Sequence, residues 1–136
     1  MNWKLIFGLS LFGLAMAIAT VFWIPSSIEW VFWLVIFIIC AYLIAKNAPG
    51  NYFLHGFLVS LVNSFWITVA HIMFFFTYMA NHPEMAELNA RLPMSEHPKR
   101  MMAIMGPIFG VLCGLVLGLF AFIASKIVKR QPQAVR

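Results

Sequence analysis

The chain has 136 residues, of which 63% are hydrophobic and only 10% charged, far from the composition of an average soluble domain. A single domain this small would expose apolar patches well beyond the roughly few hundred Å² that soluble monomers tolerate, so a water-soluble globule is excluded and a bilayer is the expected solvent. The net charge of +5 does not mark a nucleic-acid surface, because the basic residues stand at the ends of apolar runs rather than together on a polar face.

Four apolar runs, at about 5–23, 28–45, 53–79 and 101–127, approach or exceed the ~20 helical residues needed to cross ~30 Å of hydrocarbon. They lack the alternating pattern of a barrel wall, which leaves helices as the spanning structure. The expected fold is an all-α integral membrane protein: one domain over 1–136, an antiparallel four-transmembrane-helix bundle with an external loop at 80–100.

The first run follows Lys4 and contains Ala15-Met16-Ala17, features shared with signal peptides. It continues to Trp23 as a full span, so an uncleaved first helix is expected. Only Ile24-Pro25-Ser26-Ser27 separates it from the second run, which predicts a tight antiparallel hairpin with Ser26 or Ser27 as the next cap. Trp23, Trp30 and Trp33 near that turn read as interfacial anchors. The second turn, Lys46 to Asn51, carries the helix-stop pair Pro49-Gly50.

The third run has the most informative polar pattern. At about 100° per residue, Gly56, Ser60, Asn63, Ser64, Ile67, His71 and Tyr78 share one arc, with His55 outside it. Inside hydrocarbon such a stripe must face other helices or a water-filled cavity. It reads either as a transport path, in which His71 titrates and Asn63 and the serines position water or substrate, or as polar glue between helices.

The loop at 80–100 holds three of the four carboxylates. Pro83 suits a first helical position, Glu84 and Glu87 a first turn, and Glu87 and Arg91 an i,i+4 pair, while Met85, Leu88 and Leu92 share a face. A short amphipathic surface helix is expected there, ended by Pro93, with Ser95 capping the fourth span.

The fourth run places Gly106, Gly110, Gly114 and Gly118 at four-residue spacing, three overlapping GxxxG units whose face admits another helix backbone closely. That helix can belong to the same chain or to a second copy. Pro107 removes one backbone donor and is a candidate kink or hinge.

Met79, His82, Met85, Met94, His97, Met101, Met102 and Met105 gather on the outer side, where thioether and imidazole together favour Cu(I). The Met101–Met105 spacing ahead of the GxxxG run is similar to a helix pattern of eukaryotic copper transporters over those few residues; the rest of the chain does not match that family. Cys40 and Cys113 lie in apolar runs without CxxC pairing, and the chain has no Asp, no phosphate loop, no nucleophile elbow and no HExxH. No catalytic residue, resident metal or cofactor is expected.

Six basic residues (Lys4, Lys46, Lys126, Lys129, Arg130, Arg136) lie on one side and three (Arg91, Lys99, Arg100) on the other, which puts both termini in the cytoplasm. The layout is that of many small four-helix proteins of the bacterial inner membrane. The leading functional reading is a non-enzymatic assembly or accessory subunit packing through the glycine face, with the lipid bilayer, a second copy or another membrane protein as partner. The alternative is a small transporter or channel along the third-helix stripe, and a third is Cu(I) binding on the outer side.

Overall fold

The structure, a computed structural model, describes residues 1–93 and 95–128. These form α1 (Trp3–Phe22), α2 (Ser26–Asn47), α3 (Tyr52–Met73), α4 (Phe75–Asn81), α5 (Pro83–Arg91) and α6 (Pro98–Ile127), with no strand among the described residues. α1, α2, α3 and α6 are each long and apolar enough to cross a membrane. Large apolar side chains such as Phe7, Leu34, Ile38, Phe65, Phe109 and Leu112 are exposed along these helices, as expected where lipid rather than water is the neighbour.

Local chemistry sets most helix ends. Asn2 caps α1, its Oδ1 accepting from the Leu5 amide at 3.1 Å. Ala48 and Leu92 are extended, each preceding a proline that disfavours helical backbone before it. Pro83 occupies the start of α5, and Glu87 pairs with Arg91 across one turn as the spacing predicts; both side chains are exposed, so the pair contributes little stability.

Three boundaries differ from the sequence reading. Ser26 is the first residue of α2 rather than its cap, because Pro25 supplies the extended backbone at that position. α6 begins at Pro98 after His97, and Ser95 does not cap it: its amide bonds back to the Leu92 carbonyl at 3.1 Å. The run at 53–79 is not one helix, since α3 ends at Met73 and α4 starts anew after Phe74. Phe74, Phe75, Phe76 and Thr77 all lose side-chain freedom in a helix, and Phe74 turns its ring edge-on to Phe22 at 5.4 Å.

The packing departs from chain order. α3 is the central element, packed most extensively on α6 and next on α1, while α2 lies chiefly on α6. α1 and α2, joined by the short turn, touch each other little; the close pairing expected from the turn gives way to these other partners. The buried core joins Ile6 and Leu9 of α1, Cys40 and Ile44 of α2, Val59 of α3, and Leu117 and Ala121 of α6.

A candidate polar seam between α1 and α3

The glycine face of α6 is filled by α3. A methyl group added to Gly118 would meet the Phe53 carbonyl at 2.8 Å, one on Gly114 would meet the Phe57 ring at 2.8 Å, and at Gly110 and Gly106 it would overlap the hydroxyls of Ser64 and Thr68. Gly56 returns the contact, with the Leu117 carbonyl 2.7 Å from where its Cβ would stand. Backbones approach because neither helix carries a side chain at the crossing. Pro107 is exposed, and α6 continues as helix through it.

The predicted stripe on α3 divides between two neighbours. Ser60 turns to α6, its Oγ donating to the Gly110 carbonyl at 3.1 Å, and Ser64 donates back to Leu61 at 2.8 Å while filling the notch at Gly110. These serines are interhelical packing groups, fully accounted for by their contacts. Asn63, His71 and Tyr78 follow the other side, toward α1 and the turn after it.

Asn63 is 3% exposed and neither its Oδ1 nor its Nδ2 has a hydrogen-bond partner. Its amide lies on Gly13, where any Cβ would overlap it. His71 reaches α1 through Nε2, 3.2 Å from Thr20 Oγ1. The Thr20 hydroxyl spends its one proton on the Ala17 carbonyl at 3.0 Å, so His71 must donate from Nε2 and keeps its Nδ1 lone pair if neutral. Nearer the start of α1, Ser10 is 1% exposed, donates to the Phe7 carbonyl at 2.7 Å and accepts from Trp66 Nε1 at 3.3 Å.

Each end of the seam is closed by a histidine that sequence reasoning left out of the stripe. His55, 1% exposed, accepts the Asn2 amide on Nε2 at 3.1 Å and places Nδ1 3.0 Å from the Asn51 carbonyl. One nitrogen must accept and the other donate, which fixes the neutral Nδ1-protonated tautomer. At the other end Tyr78 is sandwiched between His71 and His82, with ring centroids 4.0 and 4.3 Å away. His82 is wholly buried, with Nδ1 3.0 Å from the Tyr78 carbonyl and Nε2 3.1 Å from that of Ile24. Asn81 Nδ2 donates to the Val21 carbonyl at 2.7 Å, completing a cap over the end of α1.

Beside this cap an open cleft is lined by Pro25, Ser26, Ser27, Asn81, Pro83 and Glu84. Ser26 Oγ is buried without a well-formed hydrogen bond. Its hydroxyl is nonetheless the chief influence holding the Glu84 carboxyl below the usual carboxylate range, followed by Glu84's own backbone amide, with His82 adding to the effect.

The α1 half of the seam was legible in principle: Ser10, Gly13, Ala17 and Thr20 recur at helical spacing as small or polar residues. Of the methionines and histidines around the third connection, Met79 Sδ receives Asn89 Nδ2 at 3.7 Å, Met94 lies outside the described residues, as do Lys129, Arg130 and Arg136, and both His82 nitrogens face carbonyl oxygens. No group of three or more His, Cys, Asp or Glu side chains comes together among the described residues. Compared with models of protein families, with curated proteins and with solved structures, the chain matches none.

Proposed function

We propose that the chain is a small non-enzymatic transporter or channel whose polar path follows the α1–α3 seam within a four-helix bundle of the plasma membrane. The observation that carries this reading is Asn63. A buried amide with neither end partnered costs on the order of 1–3 kcal/mol, and polar groups held inside a membrane at such a cost mark the routes of water, ions or polar solutes. Polar groups recur along the seam from His55 through Ser10, Asn63, Thr20 and His71 to His82.

The order of contacts supports the threading. Rising numbers along α3 meet falling numbers along α6, from Gly56 with Gly118 to Thr68 with Gly106, as in an antiparallel pair. Asn2 with His55, Gly13 with Asn63 and Thr20 with His71 rise together, as expected of alternate spans. Lys4, Lys46 and Lys126 flank one end and Arg91, Lys99 and Arg100 the other, which favours both termini inside.

The test is single-cysteine labelling with a membrane-impermeant maleimide, in a Cys40→Ala, Cys113→Ala background, at Ser10, Asn63 and Thr20 and at the outward-facing control Leu34. Reaction at the seam and protection of Leu34 is the expected result. Protection of all three seam positions to the level of Leu34 overturns the proposal.

Assembly with a second copy or another membrane protein is the second reading, favoured by α2, which is the least covered span and turns Trp30, Phe32, Leu34, Val35 and Ile38 outward. The glycine face offers it no support while α3 occupies that face. Native mass spectrometry from nanodiscs separates the cases. A defined oligomer weakened by Leu34→Trp supports assembly of copies through α2; one dissolved by Gly110→Leu with the fold intact returns the seam to the glycines, and a monomer rejects both.

A further inference from the structure

We infer that His82 is a proton-operated latch: as an imidazolium it ties the end of α1 to α4, and loss of its proton frees that corner. The geometry is specific. Nδ1 and Nε2 each lie within hydrogen-bond distance of a carbonyl oxygen, at 3.0 and 3.1 Å, and a carbonyl can only accept. A neutral imidazole has one N–H, so one of the two oxygens would face a nitrogen lone pair. The residue is 0% exposed.

The surroundings suit a cation. The ring lies on the face of Tyr78 with centroids 4.3 Å apart, an arrangement that attracts positive charge. The Ile24 carbonyl stands in the turn just past the negative end of α1. α1 brings no ionisable side chain to this corner. The ionisable groups of the other elements here are Glu29 of α2, His71 of α3, Tyr78 of α4 and Glu84 of α5, and Lys99 of α6 lies over the Phe75 and Phe76 rings. The two carboxylates favour the protonated latch; His71 and Lys99 oppose it.

With the latch closed, Asn81 and His82 together satisfy the Val21, Ile24 and Tyr78 carbonyls. The closed form therefore binds one proton more than an open form whose imidazole is neutral. Acid therefore favours closure, and a rise in pH shifts the balance toward opening by up to about tenfold per pH unit. Histidine is the side chain whose charge changes in the physiological range.

The test is backbone hydrogen exchange of the full chain in nanodiscs from about pH 5 to about pH 8, corrected for intrinsic exchange, with His82→Gln and His71→Gln alongside. Segments 21–27 and 78–85 are expected to open progressively as pH rises in the parent and in His71→Gln, while the rest of α1 stays protected. His82→Gln is expected to remove the pH dependence, whether it rests closed or open. A flat profile in the parent, or one that survives His82→Gln, overturns the inference. Because the readout is exchange at one corner, it stands or falls separately from labelling along the seam.

Discussion

Asn63 rests its side-chain amide directly on the backbone of Gly13, and the two meet where α1 and α3 cross. The pairing works only without a Cβ on α1, and it leaves the amide buried and unsatisfied. Two substitutions are expected to act oppositely. Gly13→Ala forces the amide aside and should destabilise the fold by roughly 1–3 kcal/mol. Asn63→Leu removes the orphaned polar group, keeps the number of side-chain heavy atoms and should leave stability unchanged or raised, while abolishing whatever passes along the seam. Unfolding in mixed micelles measures both; a clear loss of stability in Asn63→Leu would mean that the amide has a partner.

The α3–α6 crossing makes a prediction about glycine. At Gly118 an added methyl meets a carbonyl and a ring of Phe53 at 2.8 and 2.9 Å, whereas nothing lies within 4 Å of that position at Gly8. Gly118→Ala is expected to cost roughly 1–3 kcal/mol, because a backbone oxygen cannot swing away. Gly8→Ala is expected to gain up to about 1 kcal/mol from reduced backbone entropy. Equal effects at the two sites, read from the same unfolding curves, would show that α3 does not approach α6 this closely.

The contrast between these glycines shows what a sequence makes legible. Four spans could be read directly, because hydropathy and length are properties of each segment alone. The glycine spacing likewise announced a close helix approach. Which helix would approach depended on complementary shape elsewhere, the Phe53, Phe57, Ser64 and Thr68 side chains of α3, and no one-helix pattern contains that. The stripe on α3 suffered the same limit: an arc of about a third of the circumference is wide enough to face two neighbours, so Ser60 serves α6 while Asn63 and His71 serve α1. His55 and His82 were named but not placed on the seam, because one partner of each is a backbone group beside α1, more than 50 residues away in sequence. The end of α3 at Phe74 was hidden by a run whose hydropathy does not change there.

His55 leads to a third prediction. Its Nε2 receives the Asn2 amide, one of the free donors at the start of α1, and its Nδ1 serves the Asn51 carbonyl. His55→Phe replaces the ring by an apolar one and strands the Asn2 amide, at an expected cost of roughly 1–3 kcal/mol, while the Asn51 carbonyl keeps the His55 backbone amide. The loss should appear as rapid hydrogen exchange confined to the first turn of α1. Unaltered exchange there would show that solvent already satisfies the Asn2 amide.

The His82 corner carries a carboxylate that responds to pH with the opposite sign. Ser26 and the local backbone keep the Glu84 carboxyl below the usual carboxylate range. A group lowered in the folded state contributes above its unfolded value and loses that contribution as pH falls through the lowered one. Contact between α5 and the start of α2 is therefore expected to weaken only as pH falls below the ordinary glutamate range. Exchange in segment 83–91 should rise there in the parent chain and be pH-independent in Glu84→Gln. The carboxylate is fully exposed, so salt screens its interaction, and the acid step should shrink as ionic strength increases. An acid step that persists undiminished in Glu84→Gln would assign it to Glu29 or Glu87 instead, and would remove Ser26 from any role in holding α5 against α2.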